Sequence, residues 1–276
     1  MSAKVNALVL CGYGLNCDHE TAHALELAGA RAQRVHINSL ISREVTLDEF
    51  KIMAFVGGFS WGDDHGAGVI QGHRFKTRLG DDLIDFISRG GLVIGICNGF
   101  QTLVNLGLLP GCDNDYRTRS VALIANDCGR FRNDWVHLRV NDASPCVFTS
   151  GMTTFDLPAR HGEGKFFCEP EMLARLSSGN QIVLRYADEG GQLAKGRFPE
   201  NPNGSLDDIA GICDATGRVF GLMPHPEAFH HPTNHPAWTR RKAQALRQGR
   251  LFPESAMTDG VRLLKNGVDF AAGQQA

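Results

Sequence analysis

The sequence predicts an α/β fold: a doubly wound, mostly parallel sheet with helices on both faces and added antiparallel strands. Short, continuously apolar runs alternate with helical patterns over the first hundred residues. Such runs are typical of parallel strands that are buried on both faces. After residue 120 the strand-like runs follow one another directly, separated by turns rich in Gly, Asn, Asp and Pro. We therefore expect antiparallel strands that extend the same sheet, within one domain over residues 1–276.

The first half of the chain gives the parallel elements in order. Apolar runs predict strands at 6–11, 32–37, 52–56 and 92–96. Apolar spacing predicts helices at 18–30, 69–88 and 100–106, and Asp18 is placed to cap the first of them. Alternation of strands with helices is the pattern of βαβ units.

The second half predicts shorter elements. Strands are expected at 121–124, 136–140, 182–186, 209–213 and 219–222. Residues 228–254 are rich in His, Pro and Arg and show no clear periodicity, which indicates a surface excursion. A C-terminal helix is expected at about 257–270.

Composition disfavours several classes of protein. The net charge is −2 with a pI near 6.6, and no basic stripe is present, so we expect no nucleic-acid partner. No apolar run approaches the roughly 18 residues of a membrane span, so we expect no membrane partner. The eight cysteines are scattered without a C-x-x-C pair, which favours a reducing, cytoplasmic location. The histidines at 230, 231 and 235 fit no common zinc spacing, so no metal is expected.

The segment 95–99, Gly-Ile-Cys-Asn-Gly, has the form G-x-nucleophile-x-G between an apolar strand and a helical pattern. That arrangement makes a tight turn that presents a nucleophile, here Cys97. A helix amino terminus also favours the thiolate, and the N–H of Asn98 can help to bind an oxyanion. The alternative is a buried core cysteine, which is the usual role of this residue type. The flanking glycines favour the nucleophile.

A candidate base and orienting group lie in the segment 223–227, Met-Pro-His-Pro-Glu. Two prolines disfavour a helix and keep the segment extended. Side chains at positions i and i+2 of an extended segment point to the same side, so Glu227 can support the imidazole of His225. The alternative is a capped turn with a surface histidine.

These two segments together resemble the class I (triad) glutamine amidotransferases. Four further motifs narrow the resemblance to the glutaminase of phosphoribosylformylglycinamidine synthases: GYGLNCD at 12–18, GGFSWGDD at 57–64, ARHGEGKF at 159–166 and NPNGS at 201–205. The sequence departs from the family pattern at Val56, where Pro is frequent, and at Arg160 before His161. Neither departure touches a group that is assigned to chemistry.

The resemblance implies a thiol mechanism that releases ammonia from glutamine. Cys97 would attack the side-chain amide, and the N–H groups of Gly58 and Asn98 would hold the oxyanion. His225 would move the proton onto the departing ammonia, with Glu227 holding its tautomer.

The same resemblance places three residues at the glutamine pocket. Gln101 corresponds to a family position that contacts glutamine, although it fits equally well as an ordinary helix residue. His161 and Glu163 would lie near the pocket, although a tight turn made by the neighbouring glycines also explains that loop.

The ammonia would be used outside this chain. The resemblance implies a large synthetase subunit that converts formylglycinamide ribonucleotide to formylglycinamidine ribonucleotide with ATP and Mg²⁺, in de novo purine biosynthesis, and a small third subunit. No G-x-x-x-x-G-K-[ST] phosphate loop occurs here, so no cofactor is expected in this chain.

Three other functions stay open at this point. One is another class I amidotransferase, or a cysteine hydrolase on the same fold. A second is a non-catalytic interaction subunit that retains the fold. A dinucleotide site at Gly12 and Gly14 is weaker, because the third glycine of G-x-G-x-x-G would fall at Cys17.

Overall fold

The computed structural model describes residues 4–252 and 255–273. Its strands are β1 Asn6–Cys11, β2 Arg31–His36, β3 Ile52–Phe55, β4 Leu92–Ile96, β5 Val121–Ala125, β6 Arg132–Val140, β7 Thr154–His161, β8 Glu163–Cys168, β9 Ile182–Ala187, β10 Ile209–Cys213 and β11 Val219–Leu222. Its helices are α1 Asp18–Leu27, α2 Ile37–Ile41, α3 Val69–Arg78, α4 Gly80–Ser88, α5 Asn98–Leu106, α6 Pro170–Ser178, α7 Trp238–Arg247 and α8 Asp259–Ala271.

Nine strands form one mixed sheet in the order β2-β1-β3-β4-β11-β10-β9-β6-β7. Neighbouring strands from β2 to β11 run parallel, and each strand from β10 to β7 pairs antiparallel with its neighbours. Strands β5 and β8 pair with each other in a separate two-stranded sheet. The predicted combination of a parallel sheet with added antiparallel strands is confirmed.

The parallel strands are apolar on both faces because both faces carry helices. Every residue of β3 and β4 is buried, as the continuous runs predicted. Helix α1 packs with α8, and α3 packs with α4 and α5. The carboxyl ends of β1, β3 and β4 therefore meet at one edge, which is where α/β sheets place their sites.

Three elements differ from their predictions. The predicted helix at 69–88 is divided by Leu79, whose φ of −137° is not helical, into α3 and α4. The helix after β1 has Cys17 and not Asp18 at its N-cap, and Asp18 pairs with Arg34 at 2.7 Å. Strand β7 was missed because it contains Pro158, a residue that strands disfavour.

The excursion at 228–254 contains α7, whose polar sequence hid the helical spacing. It is tied to the sheet by the half-buried carboxylate of Asp156 on β7. Asp156 accepts from His235 Nε2 at 3.3 Å and from Arg241 at 2.9 Å, and it contacts His137 Nδ1 on β6 at 2.5 Å. These contacts lower the pKa of Asp156 although its burial acts to raise it.

Candidate active site

Cys97 lies in the turn between β4 and α5, with φ 51° and ψ −107°. A non-glycine residue in this region of backbone space is strained. The turn is possible because of the two glycines beside it. A Cβ on Gly99 would lie 1.9 Å from the Phe55 carbonyl oxygen, and one on Gly95 would lie 2.9 Å from Gly99 backbone atoms. The predicted elbow geometry is present, and it depends on close contact with β3.

Two other strands hold the elbow in place. The N–H of Cys97 donates to the carbonyl of Leu222 at the end of β11, at 2.8 Å. The thiol of Cys97 lies 3.4 Å from the carbonyl oxygen of Arg160 near the end of β7. Only 6% of Cys97 is exposed. The thiol therefore lies in a largely enclosed position between the parallel and antiparallel parts of the sheet.

His225 and Glu227 form a buried pair directly after β11. His225 Nδ1 lies 2.6 Å from Glu227 Oε1, and both side chains are at most 3% exposed. Residues 226–228 form a short 3-10 turn, so the pair is made by a turn and not by the fully extended segment that the prolines predicted. The N–H of His225 donates to the Pro158 carbonyl at 2.8 Å, which fixes the backbone.

The electrostatic setting makes His225 a strong proton acceptor. Burial alone lowers the pKa of His225, but the Glu227 carboxylate and the nearby Cys97 sulfur raise it well above its ordinary value. His225 Nε2 is buried and has no hydrogen-bond partner of standard geometry within the described part of the chain. This nitrogen is free to exchange a proton with a reacting group.

Two residues that the sequence analysis left without chemistry enclose His225. A Cβ on Gly57 would lie 2.7 Å from His225 Cε1, so the ring packs directly on this glycine. The same Cβ position lies 3.2 Å from the sulfur of Cys17, which is held by a backbone bond of 3.3 Å from its N–H to the Gly57 carbonyl. Burial raises the pKa of the Cys17 thiol, although its hydrogen bond with His225 lowers it.

The predicted oxyanion donors frame the nucleophile. Gly58 follows β3 with φ 143°, a conformation that L side chains rarely adopt. The neighbouring Phe59 N–H donates to Gly14, whereas that of Gly58 takes part in no backbone hydrogen bond within residues 4–252 and 255–273. Asn98 is the first residue of α5, so its N–H has no partner inside the helix. The arrangement fits a pair of N–H donors.

The structure also brings together Gln101 and Glu163. The Gln101 amide donates to the Glu163 carbonyl, and its Oε1 accepts from Asn98 Nδ2 at 3.3 Å. The Glu163 carboxylate accepts from the N–H of Ala67 at 3.1 Å. Gln101 is therefore more than an ordinary helix residue, because it joins the elbow to the loop between β7 and β8.

His161 is buried and serves as part of the wall. Its Nδ1 lies 3.1 Å from Asn126 Oδ1, and a Cβ on Gly164 would lie 2.4 Å from that nitrogen. Burial, with a contribution from the charge of His225, lowers the pKa of His161 to about 4. His161 is consequently neutral at physiological pH.

Asp63 is a site residue that the sequence analysis did not single out. Its Oδ1 accepts from Asn98 Nδ2 at 3.0 Å, one residue from the nucleophile. Burial and the charge of Glu163 raise the pKa of Asp63 to about 6, against the effect of the Asn98 bond. Its place in the motif GGFSWGDD was the available signal, because that motif directly follows the predicted oxyanion loop.

Among the described residues, Cys17, His225 and Glu227 are the group whose donor atoms lie close enough together, within 4.8 Å, to hold a metal. The short bond between His225 and Glu227 already uses one donor of each, as a base and its orienting group require. The other histidines are directed elsewhere: His230 to the Glu227 carbonyl, His231 to Thr233 and His235 to Asp156.

With this geometry in hand, comparison with known proteins identifies the family. Residues 4–269 match the CobB/CobQ-like glutamine amidotransferase domain. The phosphoribosylformylglycinamidine synthase subunit PurQ of Methanococcus maripaludis is 45% identical over 263 residues, covering 95% of this chain and 96% of that protein. The chain belongs to the PurQ family. The PurQ subunit of Dehalococcoides mccartyi is 44% identical over 269 residues, covering 98% of each chain.

Structural comparison agrees with the PurQ assignment. The structure described as PurLQS from Thermotoga maritima superposes with a TM-score of 0.67 at 28% identity, covering 97% of this chain and 99% of that chain. The amidotransferase family and the fold predicted from the motifs are both confirmed. Within the described residues, no helix has the length and apolar character needed to cross a bilayer.

Proposed function

We propose that this chain is the glutaminase subunit of a phosphoribosylformylglycinamidine synthase, with Cys97, His225 and Glu227 as its catalytic residues. The observation that carries the proposal is the strained Cys97 elbow beside the buried His225–Glu227 pair. Its membership of the PurQ family gives the reaction in which the ammonia is used.

In the first half of the reaction, the sulfur of Cys97 attacks the side-chain amide carbon of glutamine. The thiol proton passes to His225 Nε2, and the carbonyl oxygen becomes an oxyanion that the N–H groups of Gly58 and Asn98 hold. The tetrahedral intermediate then loses its C–N bond. His225 returns the proton to the leaving nitrogen, which departs as ammonia and leaves a γ-glutamyl thioester on Cys97.

In the second half, His225 takes a proton from water, and the resulting hydroxide attacks the thioester carbon. The C–S bond breaks, glutamate leaves, and the proton returns to the Cys97 sulfur. Glu227 stabilises the imidazolium at both stages and fixes the tautomer that leaves Nε2 free. Gln101, His161 and Glu163 form the pocket wall that holds the glutamine.

The ammonia passes to a large synthetase subunit, which uses ATP and Mg²⁺ to convert formylglycinamide ribonucleotide to formylglycinamidine ribonucleotide. A small third subunit completes the complex, and the reaction takes place in the cytoplasm. This chain itself needs no cofactor for the hydrolysis, because the thiol, the base and the oxyanion donors are all side-chain or backbone groups.

The proposal is tested with Cys97→Ala in the reconstituted complex. Glutamine-dependent synthesis should fall to background, while synthesis with added ammonium salt should be unchanged, because the synthetase step does not use the thiol. Cys128→Ala, at an exposed cysteine, is the matched control and should leave both activities intact. Normal glutamine hydrolysis by Cys97→Ala would overturn the assignment of the nucleophile.

A further inference from the structure

Asp63 and Glu163 form an acidic pair beside the nucleophile elbow. The charge of each carboxylate is felt by the other strongly enough to raise the pKa of Asp63 to about 6. Within residues 4–252 and 255–273, neither carboxylate takes part in an ion pair with Lys, Arg or His. Two half-buried carboxylates that face each other without a cation form an electrostatically unfavourable arrangement.

The backbone holds this arrangement in place. The loop that carries Asp63 follows the oxyanion loop, and Trp61 and Asp63 have φ values of 52° and 56°. Its residues bond back to the first strand loop, with Trp61 N–H donating to Tyr13 at 2.8 Å. A strained conformation that positions an unpaired acid beside a nucleophile is typical of a binding site and costs stability.

The pair is connected to both sides of the reacting centre. Asp63 binds the side chain of Asn98, the residue after Cys97. Glu163 is bonded through its carbonyl to Gln101, one turn along α5, and through its carboxylate to Ala67. The acidic pair therefore borders the space directly in front of the first turn of α5.

We propose that Asp63 and Glu163 bind the α-ammonium group of glutamine. The inference rests on the proposed glutaminase function, since that function places the amide carbon of glutamine at the Cys97 sulfur. The ammonium nitrogen lies four covalent bonds from that carbon, so the substrate extends from the sulfur along the face of α5. A single cation neutralises both carboxylates, and Asp63 is the specificity-determining residue because its other contact is only a neutral amide.

The experiment compares two substrates in the intact complex: glutamine and 4-carbamoylbutanoate, which is glutamine with hydrogen in place of the α-ammonium group. Asp63→Asn removes the charge while keeping an oxygen that accepts from Asn98. We expect the variant to lower kcat/KM for glutamine by about 10- to 100-fold, the contribution of a charge-assisted hydrogen bond, and to change 4-carbamoylbutanoate less than about 3-fold. Asp64→Asn, at the exposed neighbouring carboxylate, should affect neither substrate.

An equal loss on both substrates would assign Asp63 to positioning Asn98 and overturn the inference, while leaving the glutaminase function intact. Failure of the wild-type complex to hydrolyse glutamine would instead contradict the proposed function itself. Where turnover of 4-carbamoylbutanoate is slow, alkylation of Cys97 gives a second measurement. A chloroketone analogue of glutamine should label wild type faster than Asp63→Asn, and the same chloroketone without the ammonium group should label both equally. Equal slowing of both reagents contradicts the proposal.

Discussion

Two pairs of acidic and polar groups flank Cys97, and they are built on opposite electrostatic principles. Glu227 is 1% exposed and faces a cation-forming partner, His225, at 2.6 Å. Asp63 is only half-buried, faces another acid and receives one bond from a neutral amide. The first pair is complete in the free protein, whereas the second is completed by a ligand. A carboxylate whose charge is compensated within the chain supports the chemistry, and one whose charge is not compensated selects the substrate.

Removing the charge of the complete pair should have the largest effect. Glu227→Gln can no longer stabilise the imidazolium of His225, and the altered hydrogen bond favours the wrong tautomer. We expect kcat for glutamine hydrolysis to fall by about 10³- to 10⁴-fold, with ammonia-dependent synthesis unchanged. A fall below about 10-fold would mean that His225 does not depend on Glu227.

The backbone between the two pairs is the next point of attack. Gly99→Ala places a methyl group 1.9 Å from the Phe55 carbonyl, which the buried strand cannot accommodate. We expect a loss of at least about 3 kcal/mol of unfolding free energy, or failure to accumulate folded protein. Gly80→Ala, where the nearest atom lies 3.9 Å away, is the control and should unfold like wild type in urea.

A third carboxylate tests whether compensation within the chain also stabilises the fold. The pKa of Asp156 is lowered, so its stabilising effect is present above the unfolded pKa of 3.8 and is lost as pH falls through the folded value. Asp156→Asn should cost about 1–3 kcal/mol at pH 7 and speed proteolysis of α7, because His235 and Arg241 lose their anion. The difference from wild type should disappear in acid.

For the uncompensated carboxylate the sign is reversed. The folded pKa of Asp63, about 6, lies above the unfolded value of 3.8, so its ionised form destabilises the fold fully above pH 6. The cost fades as pH falls from 6 to 3.8. Asp63→Asn should therefore raise Tm by about 2 °C at pH 8, a modest value because solvent reaches this group. Calorimetry at pH 8 and pH 4 separates this gain from a pH-independent one.

Local patterns predicted the elements and groups that depend on neighbours in sequence. The runs at 6–11, 92–96, 209–213 and 219–222 coincide with strands, and the elbow around Cys97 followed from its glycines. His225 and Glu227 were paired correctly, although by a turn instead of an extended segment. Their catalytic roles stay predictions.

Groups whose roles arise from distant packing were not predictable in the same way. Nothing near Gly57 or Cys17 in the sequence shows that His225 packs on them. The same holds for Asp63, whose neighbour Glu163 lies on another loop. The helix α7 was hidden because its face is polar, and β7 because it contains Pro158.

The position of β11 has a consequence for biosynthesis. This strand lies between β4 and β10, so one edge of β4 has no hydrogen-bonding partner until residue 222 has left the ribosome. His225 and Glu227 directly follow that strand, so Cys97 gains its base only when the sheet closes. A nascent or truncated chain thus carries an unactivated thiol and an open edge that is prone to aggregation. Closure of the sheet and acquisition of reactivity are one event, which ties activity to completed synthesis.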